Sequence, residues 1–207
     1  MSALTDFSIS ITRDKKFKIV VLGDQSVGKS CLISRFVFDS FQEEANPTIG
    51  VDFVVKTVPF GKENLKFHIW DTAGQERFHS LIPTYIKDCD SAIIVYDLNK
   101  QATFDNIDRW YETIVNEKGD DILLAIIGNK SDVGNREVTQ EQGIEKAKSF
   151  KALFGETSAK TGEMVEDIFN KVIFKLTETL ASSKEAEGVN LGEASNVAAT
   201  PSNRKCC

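Results

Sequence analysis

The chain has 207 residues, 41% hydrophobic and 27% charged, a balance that supports one buried core and no more than one large domain. Its formal charge of −6 and pI near 5.1 argue against a nucleic-acid binder, which carries a basic face. The longest apolar stretches, 92–96 and 122–127, fall far short of the ~18 residues of a membrane span, and the first residues lack the apolar core of a secretory signal.

Residues 17–22 form an apolar run, the first expected strand. The octapeptide Gly23-Asp24-Gln25-Ser26-Val27-Gly28-Lys29-Ser30 follows directly, matches G-x-x-x-x-G-K-[ST] and opens an expected helix over Lys29–Phe38. A strand feeding a glycine-rich turn that starts a helix aims several backbone N–H groups at one point, where the helix dipole is also positive. Phosphate suits that point. Lys29 reaches the terminal phosphates as a point charge, and Ser30 offers a hydroxyl to Mg²⁺, a hard cation usually held by phosphates plus one or two protein oxygens.

Strands are expected at 51–60 and 65–70, and the four residues between them are too few for a crossover helix, so this pair reads as an antiparallel hairpin. Trp70-Asp71-Thr72-Ala73-Gly74-Gln75-Glu76 then places Asp71 at a strand's carboxyl end, where a carboxylate can hold Mg²⁺. Gly74 has no Cβ to keep its N–H from a terminal phosphate, and the amide of Gln75 can bond an attacking water from either end. A helix is expected at 77–87, a strand at 91–96, a helix at 104–117 and a strand at 122–128.

Asn129-Lys130-Ser131-Asp132 follows that last strand. A carboxylate such as Asp132 accepts two hydrogen bonds side by side, and guanine, unlike adenine, presents an adjacent N1–H and N2–H₂ pair. Thr139 and Gln142 form a capping box opening a helix at 139–150, then come a short strand at 153–156, Ser158-Ala159-Lys160, and a helix at 164–181. Taken singly, the strings after the third and fifth strands also fit polar turns; with Lys29 and Ser30 present, all of them fall at the carboxyl ends of one sheet, where ligands bind. The alternation predicts an α/β fold: six strands, mainly parallel with one antiparallel, and five helices.

At this point the chain resembles a small GTPase of the Ras superfamily, and within it the Rab family. Gly23–Ser30 as a block, Thr48, Asp71 to Gln75, Asn129 to Asp132 and Ser158 to Lys160 match the five nucleotide motifs in order, over a span from about residue 15 to 181. Ile49-Gly50-Val51-Asp52-Phe53, residues 66–78 and Ile94-Val95-Tyr96-Asp97 are similar to segments that separate Rabs from Ras and Rho proteins. Ser80-Leu81-Ile82-Pro83-Thr84-Tyr85 resembles the Golgi-associated Rab subgroup.

The resemblance implies a P-loop small G domain at 15–181, preceded by a flexible extension at 1–14. It implies nucleotide binding by Asp24, Gln25, Ser26, Val27, Gly28, Lys29, Ser30, Cys31, Phe41, Thr48, Gly74, Asn129, Lys130, Asp132, Ser158, Ala159 and Lys160. Phe41 aligns with the aromatic that packs on guanine, Ser30, Thr48 and Asp71 are the implied Mg²⁺ ligands, and Gln75 is the implied catalytic residue. Residues from Phe41 to Val51 and from Ala73 to Tyr85 would be two switches, ordered by the γ-phosphate and read by effectors. An exchange factor, a GTPase-activating protein, a GDP dissociation inhibitor and a Rab escort protein are the implied regulators.

Gln25 and Ser26 stand where Ras has glycines, Ala45 replaces a tyrosine that often lies over the phosphates, and His79 replaces a frequent arginine. A non-hydrolysing GTP-gated scaffold and a P-loop nucleotide kinase are the competing classes. Intact Thr48 and Gln75 oppose the first, and the lack of arginine-rich lid segments opposes the second.

Residues 182–207 contain no aromatic and are rich in Ser, Glu, Asn, Gly and Ala, a composition that reads as a disordered tether spanning roughly 25–30 Å on average. The four cysteines show no C-x-x-C pair, so neither a zinc site nor a disulfide framework is indicated, and Cys31 and Cys89 read as small buried groups in a reducing cytosol. Cys206 and Cys207 end the tail and resemble a double geranylgeranylation site. Lys184, Arg204 and Lys205 only balance Glu185, Glu187 and Glu193, so lipid rather than basic charge would hold a membrane. The implied place is the cytoplasmic face of Golgi or related vesicle membranes.

Overall fold

The computed structural model describes residues 15–43, 48, 50–60, 63–72 and 82–188. The elements run β1 (Lys15–Leu22), α1 (Lys29–Phe38), β2 (Val51–Phe60), β3 (Glu63–Thr72), α2 (Ile82–Ile86) and β4 (Ser91–Asp97). They continue with α3 (Gln101–Asp105), α4 (Ile107–Lys118), β5 (Leu123–Asn129), α5 (Gln140–Ser149), β6 (Leu153–Thr157) and α6 (Val165–Gly188). A second unit begins at Thr177; its described part is the helical stretch to Gly188.

The six strands line up as β2-β3-β1-β4-β5-β6. The pairings of β1 with β3 and β4, of β4 with β5 and of β5 with β6 are parallel, while β2 and β3 are antiparallel, as the short connection requires. After β1 the chain turns to one side to build β3, then crosses back to place β4 on the other. The carboxyl end of β1 therefore lies at a topological switch point, where such sheets bind ligands.

Burial follows from this layering. All seven residues of β4 are buried, since helices cover both faces of a parallel sheet. Val20 and Leu22 of β1 join a cluster with Ile82 and Ile86 of α2, Trp110 and Ile114 of α4 and Ala147 of α5, whereas the alternate residues Ile19 and Val21, equally buried, face the other way. Phe36 of α1 stacks on Phe169 of α6 with centroids 4.4 Å apart.

The helices differ from expectation in three places. The helix expected at 104–117 starts at Gln101 and breaks at Asn106 into α3 and α4. Lys100, the residue before α3, makes no side-chain cap, so no local start signal marks it. Of the helix expected at 77–87, residues 82–87 are described, and they are helical over Ile82–Ile86. The last helix runs to Gly188 instead of ending at 181, so residues 182–188, read as tail, continue it. Lys184, Glu185, Ala186 and Glu187 are good helix formers, and the first glycine after 181 is Gly188, where helices commonly stop. The hairpin strands also pair further than expected, to Phe60 opposite Glu63.

The capping box forms as expected: Gln142 N donates to Thr139 Oγ1 at 3.3 Å and Thr139 N donates to Gln142 Oε1 at 2.8 Å. Thr139→Ala removes one acceptor from the start of α5 and should lower unfolding free energy by ~1 kcal/mol in denaturant titration, with an unchanged m-value.

Candidate functional site

β1 delivers the chain to Gly23, whose φ of +135° and contact with the Val95 carbonyl leave no room for a Cβ. The loop then arches to Gly28, φ +96°, whose bare Cα lies against the side chain of Asn129. α1 starts there with no side-chain cap and no acidic residue in its first turn, so its N–H groups are left for a ligand. Lys29 is 5% exposed and folds back over the loop, donating from Nζ to Gly23 O at 2.8 Å and Asp24 O at 2.7 Å. Burial pulls its ammonium down to about 8, against the attraction of Asp71 and Asp24. A phosphate at the α1 terminus would add close counter-charge to this buried cation.

Two hydroxyls and one carboxylate meet beside it. Ser30 Oγ and Thr48 Oγ1 are 2.7 Å apart, Thr48 Oγ1 lies 3.4 Å from Asp71 Oδ2, and Asp71 Oδ1 is buried with no partner among the described residues. Burial raises the Asp71 carboxyl above its usual range, opposed by Ser30, Lys29 and Thr48. An orphaned carboxylate oxygen facing two hydroxyls fits a hard divalent cation with room for phosphate oxygens. Two hydroxyls and one carboxylate are hard oxygen donors, a set that suits Mg²⁺ rather than a thiolate- or imidazole-seeking metal. Bound there, Mg²⁺ would neutralise charge on the phosphate oxygens.

The far end of the site is built by the loops after β5 and β6. The amide of Asn129, 1% exposed, donates to Val27 O at 2.9 Å and accepts from Ala159 N at 3.2 Å and Thr157 Oγ1 at 3.3 Å. Lys130, with φ +70°, donates from Nζ to Ser26 O and to Asp97 Oδ2, each at 2.7 Å. Although burial works to raise it, the Asp97 carboxyl is held below its usual value by Lys130 and Asn99. Asp132 is fixed by Ser158 Oγ, which donates to its Oδ1 at 2.6 Å and itself accepts from Thr161 N.

These groups surround one cavity of about 400 Å³. Gln25, Ser26, Gly28, Lys29, Ser30, Cys31, Phe41, Thr48, Asn129, Lys130, Asp132, Ala159 and Lys160 line it, and so do Gln42, Glu43, Thr72 and Val133, which sequence reasoning did not single out. Val27 and Ser158 act from behind the wall, and Asp24 turns its carboxylate toward α4. The N–H groups of Ser158 and Ala159 bond Glu163 O and Asn129 Oδ1, so these residues shape the loop through the protein's own bonds. Ala45, Gly74, Gln75, His79, Cys206 and Cys207 lie outside the described residues, as do parts of both switch segments.

Arg35 of α1 is a residue the sequence did not flag. Its Nε donates to Ala159 O and its Nη2 to Lys160 O, both at 3.0 Å, while Nη1 reaches Asp39 Oδ1 at 2.9 Å. One guanidinium thus ties the loop after β6 to the end of α1, from which the chain continues to Phe41. Only the Asp39 contact, four residues away, has a local signature. Arg35→Ala should release bound GDP on the order of tenfold faster in a fluorescent-nucleotide chase, because the base end of the cavity loses its brace; an unchanged rate would deny the brace.

The Ras-family model matches this chain over residues 18–178, most of its length and all of the described site. Family membership carries with it GTP and GDP binding with Mg²⁺, GTP hydrolysis, and exchange factors, activating proteins and effectors as partners. With the loops after β1, β5 and β6 gathered around one cavity at the carboxyl ends of its strands, the chain belongs to the Ras family of small GTPases.

Proposed function

We propose that this GTPase is a Rab-type switch of vesicle traffic, anchored by its C-terminus to the cytoplasmic face of Golgi-related membranes. The observation that carries the nucleotide roles is the shape of the cavity: Lys29 with the Ser30–Thr48–Asp71 corner at one end, Asp132 with Ser158 behind it at the other. In this reading Lys29 and the α1 terminus hold phosphates, Asp132 accepts the guanine N1–H and N2–H₂, and Phe41 packs on the ring. Gln75 orients a water whose oxygen bonds to the γ-phosphorus as the bond to the β–γ bridging oxygen breaks; GDP leaves and the proton passes to the released phosphate.

Effector binding is supported by an aromatic strip on the edge of the sheet. Phe53, 48% exposed on β2, stacks on Trp70 of β3 at 5.2 Å, and Trp70 contacts Tyr85 of α2 at 5.1 Å. Phe53 is exposed and Trp70 and Tyr85 half-buried; Tyr85 closes the second proposed switch segment and β2 begins at Val51, which closes the first, so a partner on the strip would touch an end of each, and exposed aromatic surface of this kind marks interaction sites. A GDP dissociation inhibitor and an escort protein complete the cycle by handling the prenylated tail.

Gln75→Leu should slow single-turnover phosphate release from preloaded GTP by on the order of tenfold or more while GTP still binds; an unchanged rate would remove Gln75 from the chemistry. Intact-mass spectrometry of membrane-bound protein should show two geranylgeranyl groups on Cys206 and Cys207. Unmodified cysteines in that fraction would refute the anchor.

A further inference from the structure

Asp24, inside the phosphate loop, does not face the cavity; its carboxylate is clamped to α4. Trp110 Nε1 donates to Oδ1 at 2.9 Å and Asn106 Nδ2 donates to Oδ2 at 2.7 Å, from residues 86 and 82 positions away. A carboxylate only accepts, so both donors are held in one orientation. Trp110 is 2% exposed and shares a core cluster with Ile82 and Ile86 of α2, and Asn106 is the residue at which α3 gives way to α4.

One other tie reaches this turn, from Lys29 Nζ to the carbonyls of Gly23 and Asp24. Ser26 and Val27 are held through their carbonyls by Lys130 and Asn129, and Gly28 and Lys29 by the start of α1. Between these and β1 lie Gly23, Asp24 and the exposed, cavity-lining Gln25. Asp24's own carbonyl accepts from Lys29 Nζ, so this turn sits beside the ammonium that reaches the terminal phosphates. We propose that Asp24 is a positioning residue for GTP hydrolysis: through Trp110 and Asn106 it fastens the outer turn of the phosphate loop to α4 and sets where that turn meets the terminal phosphate. A misplacement of about 1 Å in such a turn is enough to cost a large part of a hydrolysis rate. Because α2 packs in the same cluster as Trp110, the clamp also joins the phosphate loop to the helix at the end of the second switch segment.

The inference rests on reading residues 23–30 as the phosphate loop, and the test separates the two. Asn106→Asp sets a carboxylate against the Asp24 carboxylate, two groups that only accept. It should slow single-turnover GTP hydrolysis roughly tenfold while GDP dissociation changes much less. Adding Asp24→Asn swaps donor and acceptor, rebuilds both hydrogen bonds, and should return hydrolysis toward the wild-type rate. Trp110→Phe removes the N–H together with part of the indole ring, and should slow hydrolysis in the same direction. If the swapped pair is as slow as Asn106→Asp or does not fold, the carboxylate acts by its charge at position 24 and the clamp is overturned. Wild-type hydrolysis in both Asn106→Asp and Trp110→Phe overturns it as well. Loss of guanine-nucleotide binding in the wild-type protein would instead overturn the phosphate-loop reading.

Discussion

The side-chain amide of Asn129, buried at the carboxyl end of β5, is the tie on which the cavity depends. It bonds Val27 O on one side and Ala159 N with Thr157 Oγ1 on the other, so one residue sets the distance between the phosphate loop and the loop after β6. Gly28 makes this possible, because any side chain there would occupy the space of the amide. An amide has two donors and an acceptor with two lone pairs, and the protein's own backbone takes up both ends of it. Lys130 repeats the pattern with a charge, joining Ser26 O to the buried Asp97. The two ends of the cavity are one structure because these two adjacent residues tie its loops together.

The phosphate end is organised by what it leaves unpaid. Among the described residues, Lys29 is buried with only backbone carbonyls in hydrogen-bond contact, Asp71 keeps one oxygen without a partner, and α1 begins without a side-chain cap. Each would be relieved by the same ligand: an anion at the helix terminus with a divalent cation beside it. Binding of that ligand would stabilise the fold, as linkage requires for any ligand that the native state alone can hold. The geometry also explains how bound phosphate could be felt at a distance, since Thr48 stands in the cation corner and belongs to the segment leading into β2, the strand that carries Phe53.

Elements with strong local patterns were legible. The α1 limits, the capping box at Thr139 and the antiparallel hairpin all followed from spacing, propensity or loop length, because the forces that make them act within a few residues. The extension of α6 to Gly188 was legible in principle, for Lys184 to Glu187 favour helix, but the polar composition of the tail pointed the other way. Asn106 shows the opposite case. A residue inside an apparently continuous helical pattern gives its amide to Asp24, and α3 and α4 meet there.

Which residue types are candidates for phosphate, cation and base was decided by the sequence alone, since a glycine-lysine-serine turn after a strand and polar strings at later strand ends bring their chemistry wherever they fold. How those parts are held was decided by tertiary structure. Arg35 bonds carbonyls 124 and 125 residues away, and Asp24 is clamped from 82 and 86 residues away. No periodicity or propensity encodes such bonds, because they exist only once the parallel sheet has brought the carboxyl ends of its strands side by side.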